Sequence, residues 1–125
     1  MKYKIAELNH VALNVSNLEK SARFYEDIVG LESIPRPNFD FPGAWLRIGV
    51  NQELHLIARD DSLEMPGKPI GHFALELENV EDAQEWLESK GVAFRGPLTR
   101  PDGATQFFIE DPDGHVIELT GNLPA

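Results

Sequence analysis

The chain contains the same strand-like segment twice, and this internal repeat limits the folds that it can adopt. Residues 9–15 read NHVALNV, and residues 71–77, about half of the 125-residue chain later, read GHFALEL. Apolar and less apolar positions alternate in both copies, which is the pattern of a β-strand with one buried face. His10 and His72 occupy the same position on the less apolar face. Self-similarity at a fixed spacing indicates a fold built from two similar units.

The similarity continues into a helix in each half. Ser16 followed by Glu19 is the pattern of a capping box, and Asn79 is the predicted N-cap of the second helix. Gly30 and Gly91 are placed to end the two helices, because glycine readily adopts the left-handed conformation found after a helix.

Three further strands follow each helix. In the second half we predict a strand at 92–94 and a loop at 96–103, and the last strands of the two halves are predicted at 53–57 and 115–119. The expected fold class is α+β, with two βαβββ modules in a single domain. The predicted boundaries are module one at 5–58, a linker at 59–70 and module two at 71–121.

Composition excludes several classes of function. The net charge of −10 repels phosphate groups, so nucleic acid and anionic membrane surfaces are not expected partners. The chain has no cysteine, which removes disulfides and thiolate metal sites. Neither a signal peptide nor a membrane-spanning apolar run is recognisable, so a cytoplasmic location is expected.

Four side chains with metal-binding chemistry fall on the less apolar strand faces at positions related by the repeat. His10 matches His72 in the first strands, and His55 matches Glu118 in the last strands. Imidazole and carboxylate groups suit a divalent first-row metal such as Zn, Ni, Fe, Mn or Co. We therefore predict one metal ion per site, held by these four residues, whereas His115 is expected at the surface.

Alternation also predicts which other side chains face the metal. Trp45 and Arg47 lie on that face if Leu46 and Ile48 face the helix, and Gln106 and Phe108 follow the same rule in the second half. Trp45, Arg47 and Phe108 are candidate substrate-binding residues, and a cation at Arg47 could orient a carboxylate.

Taken together, these segments identify the chain as similar to the vicinal oxygen chelate superfamily, which includes glyoxalase I, extradiol dioxygenases and bleomycin-resistance proteins. The resemblance is carried by residues 9–15, 22–31, 71–75 and 108–119, and it covers nearly the whole chain. It implies a glyoxalase-like fold with a metal cleft between paired modules, and metal ligands at the positions of His10, His55, His72 and Glu118.

The resemblance also implies the kind of reaction. Members bind two oxygens of a small-molecule substrate to the metal, which stabilises an enolate or enediolate and favours lyase or isomerase chemistry. Proton transfer would fall to Glu118 or His55. Glyoxalase I commonly holds glutathione with an arginine at the position of Asn14 and an asparagine at that of Arg59. Both differ here, so glutathione is not assigned, and Asn14 is kept as a candidate substrate-binding residue.

Two other activities remain open. If His55 leaves the metal, the remaining His10, His72 and Glu118 form the two-histidine, one-carboxylate triad of an extradiol-type dioxygenase. A non-catalytic ligand-binding protein of the bleomycin-resistance kind is the second alternative. Modules can pair within one chain or between chains. By resemblance to glyoxalase-like relatives, the expected unit is a homodimer with composite sites.

Overall fold

A computed structural model describes residues 4–59 and 72–121. The chain divides into two compact units, Met1–Leu63 and Glu64–Ala125. The predicted linker at 59–70 lies, apart from Arg59, outside the described residues, so the predicted module boundaries stay a prediction.

The first module is a four-stranded mixed sheet with one helical segment. Its strands are β1 (His10–Val15), β2 (Glu32–Ile34), β3 (Gly43–Arg47) and β4 (Glu53–Ala58). The order across the sheet is β1-β4-β3-β2, with β1 parallel to β4 and the other pairs antiparallel. Helix α1 (Leu18–Arg23) continues as a π-helical segment (Phe24–Val29), which connects β1 to β2.

The second module repeats this topology. Its strands are β5 (His72–Glu76), β6 (Arg95–Thr99), β7 (Thr105–Glu110) and β8 (Val116–Gly121), in the order β5-β8-β7-β6. A 3₁₀ turn (Val80–Asp82) leads into helix α2 (Ala83–Ser89). Strand β5 is parallel to β8. The predicted α+β fold of two βαβββ modules is confirmed.

Each sheet buries the face that carries the regularly spaced apolar residues. The fully buried hydrophobic side chains of module one come from its helical segment and from β1, β3 and β4, namely Val15, Tyr25, Leu46, Leu54 and Leu56. Those of module two come from its helical segment and from β7 and β8, and include Val80, Leu87, Ile109 and Ile117. The opposite face of each sheet therefore displays the polar residues that alternate with this core.

Two local predictions were wrong. The N-cap of α1 is Asn17 rather than Ser16, because the Asn17 side chain accepts a hydrogen bond from the backbone N–H of Lys20 at 3.0 Å. The second strand of module two is not at 92–94 but at Arg95–Thr99, mostly inside the loop predicted at 96–103. Pro97 is tolerated in this strand because β6 lies at the edge of the sheet. The missing N–H of a proline there need not face a neighbouring strand.

Within residues 4–59 and 72–121, no helix is both long and apolar enough to cross a membrane.

Candidate functional site

In module one, the polar face of the sheet brings His10 and His55 together. Strands β1 and β4 pair so that Ala12 is opposite His55, which makes His10 a diagonal neighbour of His55 on the same face. The two imidazole rings stack with their centroids 4.1 Å apart and their planes 19° apart. Two of the four predicted metal ligands thus lie side by side.

The neighbours of these two histidines hold them in place. Trp45, opposite His55 on β3, stacks on its ring at 4.0 Å and 3°. Nε2 of His55 lies 2.9 Å from Oε1 of Glu53, and Nδ1 of His10 lies 2.7 Å from Oδ1 of Asn9. A metal-binding imidazole usually gives its second nitrogen to such an oxygen, which sets the tautomer and the ring orientation. The sequence analysis did not identify Glu53 or Asn9 as hydrogen-bond partners of these histidines, although Glu53 lies on the same strand face as His55.

Module two presents its own pair in the same register. Ala74 of β5 is opposite Glu118 of β8, so His72 and Glu118 are diagonal neighbours as in module one. Nε2 of His72 donates to Oε1 of Glu118 at 3.0 Å, and the Gln106 amide donates to Oε2 at 3.1 Å. The Glu118 side chain is 7% exposed, whereas that of His72 is 45% exposed. The carboxylate is therefore oriented by two donors, and the imidazole faces outward.

An aromatic side chain from the third strand stands beside each pair. Phe108 is opposite Glu118 on β7 and packs edge-on against His72, with ring centroids 5.8 Å apart. Trp45 has the equivalent position beside His55. Each module therefore carries one unit of two donors and one aromatic wall, in matching register.

The other candidate residues are placed differently. Arg47 donates from Nη1 to the carbonyl oxygen of Val50 at 3.1 Å, so its guanidinium is already engaged by the following turn. Asn14 lies on β1 opposite Ile57. His115 precedes β8, and its backbone N–H donates to Oδ1 of Asp111 at 2.8 Å. The roles of Arg47 and Asn14 in substrate binding stay predictions.

An aromatic row extends from Trp45 along the loop before β3, and it was not predicted as part of the site. Phe39 lies 6.1 Å from Trp45 and 5.3 Å from Phe41, measured between ring centroids. The guanidinium carbon of Arg36 lies 4.8 Å from the centre of Phe39 and 4.9 Å from that of Phe41. Phe39 and Phe41 are 43% and 40% exposed, so this row is accessible to a flat apolar ligand.

The donor chemistry of the two pairs suits a divalent metal. In the described part of the chain, no three histidine, aspartate or glutamate side chains lie together as a metal-binding group. Each module presents a pair. The hydrogen bond from His72 to Glu118 joins two ligand-type groups through one proton, and a cation can take the place of that proton. Three imidazoles with one carboxylate form a set that zinc and its first-row neighbours accept.

Comparisons with known proteins agree on the family. Residues 7–119 match the Glyoxalase/Bleomycin resistance protein/Dioxygenase superfamily. The chain is 30% identical to the lactoylglutathione lyase of Salmonella typhimurium, over 90% of each chain. A solved structure from Bacillus anthracis, assigned to the glyoxalase family, is similar with a TM-score of 0.84 at 25% identity, covering 98% of this chain and 99% of that one.

A further solved structure points to a different use of the fold. TnmS3, an antibiotic binding protein from Streptomyces sp. CB03234, is 28% identical with a TM-score of 0.78, covering 96% of this chain and 98% of that one. A shared fold therefore does not distinguish an enzyme from a binding protein. The chemistry of the two donor pairs has to distinguish them.

Proposed function

Because this chain belongs to the Glyoxalase/Bleomycin resistance protein/Dioxygenase superfamily, we propose that it is a metal-dependent, glyoxalase-like enzyme. Its substrate is a small molecule with two oxygens that can chelate a metal, and its reaction is of the lyase or isomerase type. Kinship with enzymes named lactoylglutathione lyase supports this class, without assigning glutathione as the cosubstrate.

One observation carries the proposal. The same diagonal arrangement of two donors occurs in both modules, as His10 with His55 and as His72 with Glu118. A histidine with a purely structural role in a strand needs no second donor at the diagonal position. A metal ion shared by the two modules does need donors on the matching faces of both. We propose that the four residues hold one divalent ion.

The bound metal would supply electrostatic stabilisation for the negative charge that develops on the substrate oxygens. The protein supplies the rest of the chemistry. Gln106 keeps the carboxylate of Glu118 in one orientation, and Trp45 keeps the ring of His55 against His10. Trp45 and Phe108 form apolar walls beside His55 and His72.

Two groups are placed to move a proton. An oxygen of Glu118 can accept a proton from a substrate carbon and return it to the neighbouring carbon. His55 is the other candidate base: Nε2 lies 2.9 Å from Glu53, so the proton would go to Nδ1 when that nitrogen is not on the metal. Glu118→Gln removes the base and keeps the shape, so a variant that retains metal but loses turnover would assign this role to Glu118.

Metal content is the first test. Purified protein should bind one divalent ion per chain, and His72→Ala should lose most of it. His115→Ala is the matched control, since it removes a histidine from outside the two pairs and should keep full metal content. Equal metal content in both variants would contradict the proposal. A screen of metal-loaded protein should then include 2-oxoaldehyde hemithioacetals, 2-substituted malonyl thioesters and catechols.

We further propose that the working unit is a homodimer in which His10 and His55 of one subunit meet His72 and Glu118 of the other. A two-fold dimer then has two sites. Mixing the inactive variants His10→Ala and Glu118→Ala should partly restore metal binding, because one site of the heterodimer collects both defects and the other is intact. No recovery, once subunit exchange has been demonstrated, would show that each chain builds its own site.

The screen also distinguishes the two alternatives. Oxygen consumption with a catechol and ferrous iron would favour a dioxygenase, although His55 is held between His10 and Trp45 rather than turned away. Tight binding of a flat apolar ligand without metal would favour a binding protein. The exposed row of Phe39 and Phe41 and the similarity to an antibiotic binding protein are the observations behind that second candidate.

A further inference from the structure

Module two contains a cavity next to its donor pair. Its volume is about 540 Å³, large enough for a small organic molecule. Phe108, which is opposite Glu118 and packs against His72, forms part of the wall. The apolar wall residues include Val92, Phe94, Phe108 and Val116, and the charged ones are Arg95 and Glu110.

Arg95 is the cation of this cavity. Its guanidinium carbon lies 4.6 Å from the centre of the Phe108 ring, and the two residues are paired across β6 and β7. Stacking on an aromatic face fixes the plane of a guanidinium and leaves its N–H groups free to point past the ring edge. Arg95 is thus oriented before any ligand arrives.

No carboxylate within residues 4–59 and 72–121 forms an ion pair with Arg95. Glu110 lines the same cavity but lies beyond ion-pair distance of Arg95. Arg47, by contrast, already donates to the carbonyl oxygen of Val50. Alternation finds the face of a residue but not its partners, so the sequence analysis did not single out Arg95 for anion recognition.

We propose that this cavity binds a small organic acid, with the carboxylate on Arg95 and an apolar, preferably aromatic, body against Phe94, Phe108 and Val116. A guanidinium recognises a carboxylate through two parallel hydrogen bonds, which selects this anion over a neutral amide. If the bound acid is the substrate of the enzyme, the proposal rests on the proposed function. The substrate then carries a carboxylate in addition to the two oxygens that chelate the metal.

The test uses the full-length protein without metal, in the presence of a chelator, so that it is independent of the metal site. Phenylacetate is the probe and phenylacetamide its neutral isostere, with binding measured by calorimetry. Phenylacetate should bind saturably at one site per chain, and the amide about tenfold more weakly, as expected for one lost charged hydrogen-bond pair. Phenylacetate affinity should also fall as salt is added.

Variants then locate the site. Arg95→Gln should weaken phenylacetate about tenfold, and Arg95→Lys, which keeps the charge but loses the planar fork, should weaken it less. Arg100→Gln is the matched control, because Arg100 is in the same module and pairs with Asp102 rather than lining the cavity. It should bind phenylacetate as the wild type does. Circular dichroism on each variant establishes that the fold is retained.

Absence of saturable binding, or equal phenylacetate affinities for wild type and a folded Arg95→Gln variant, would overturn the proposal. Failure of the proposed function gives a different result. If the wild-type protein binds phenylacetate through Arg95 but takes up no divalent metal, the cavity is a binding site for organic acids and the proposed metal-dependent enzyme activity is wrong.

Discussion

Replacing Gln106 by methionine tests whether Glu118 is oriented as a metal ligand. The amide of Gln106 donates to Oε2 of Glu118 at 3.1 Å, and the Glu118 side chain is 7% exposed. Methionine has nearly the same length and volume but no N–H group. The substitution therefore removes one hydrogen bond to a buried carboxylate and leaves the packing nearly unchanged.

The expected loss of stability is set by that hydrogen bond. A bond to a charged group contributes about 1.5–3 kcal/mol, and since Gln106 is half-buried we take the lower part of that range, about 1.5–2 kcal/mol. For a chain of this size, roughly 4 °C of Tm accompanies each kcal/mol, so metal-free Gln106→Met should melt about 6–8 °C lower. Removing a side chain that orients a metal ligand typically lowers metal affinity about 10–100-fold, so we expect Gln106→Met to bind metal about 30-fold more weakly.

Thr120→Val provides the matched control on the neighbouring strand. The Thr120 hydroxyl donates to the carbonyl oxygen of Thr105 at 3.0 Å, and Thr120 is opposite Gln106 in register. This neutral bond contributes about 0.5–1.5 kcal/mol, so the control should lose less stability and keep its metal affinity. Thermal denaturation followed by circular dichroism, and metal competition with a chromophoric chelator, measure the two quantities.

The pattern of results can refute the reasoning at two points. If Gln106→Met is destabilised as expected but binds metal like the wild type, Gln106 supports the fold and does not orient a ligand. If Glu118→Ala also binds metal normally, Glu118 is not a ligand, and the four-residue site is wrong.

Two further predictions concern stability. Leu87 is 1% exposed, so Leu87→Ala should lower the free energy of unfolding by about 2–5 kcal/mol in urea denaturation, whereas Leu98→Ala, at a 41% exposed position, should change it little. The backbone N–H of Ala104, together with Arg100, lowers the pKa of the Asp102 carboxyl below its ordinary range. A lowered folded-state pKa stabilises the protein above the ordinary aspartate pKa of about 3.9, and the benefit is lost as pH falls through the lower value. The Tm difference between wild type and Asp102→Ala should therefore shrink in acid, and a difference that is constant with pH would contradict the assignment.

The placement of the donors could be predicted from sequence because a strand exposes alternate residues to opposite faces. That rule, applied to a repeat, puts His10 and His55 on one face of module one and His72 and Glu118 on the matching face of module two. The parallel pairing of the first and last strands then makes the two residues of each pair neighbours. It also predicted that Trp45 faces away from the core, since Leu46 is fully buried.

Features that depend on specific partners could not be predicted in this way. The engagement of Arg47 by Val50 depends on the shape of the turn after β3. The stacking of Arg95 on Phe108 depends on a strand that contains Gly96 and Pro97. Glycine and proline together indicate a turn, so this strand was expected to be a loop. Its edge position, a property of the whole sheet, is what permits it.

The flat contact between Trp45 and His55 has an optical consequence. An excited indole transfers an electron readily to a protonated imidazole, and less readily to a neutral one, so the fluorescence of Trp45 depends on the charge of the ring lying 4.0 Å away. Ions with partly filled d shells quench it as well. The second tryptophan, Trp86, is 46% exposed on helix α2, with the ammonium nitrogen of Lys90 at 4.8 Å from its ring centre, and contributes a background that Trp86→Phe removes. Emission from the remaining indole then responds to a change in the charge of the His55 ring or to a quenching ion near it, before a substrate is known and without an added label.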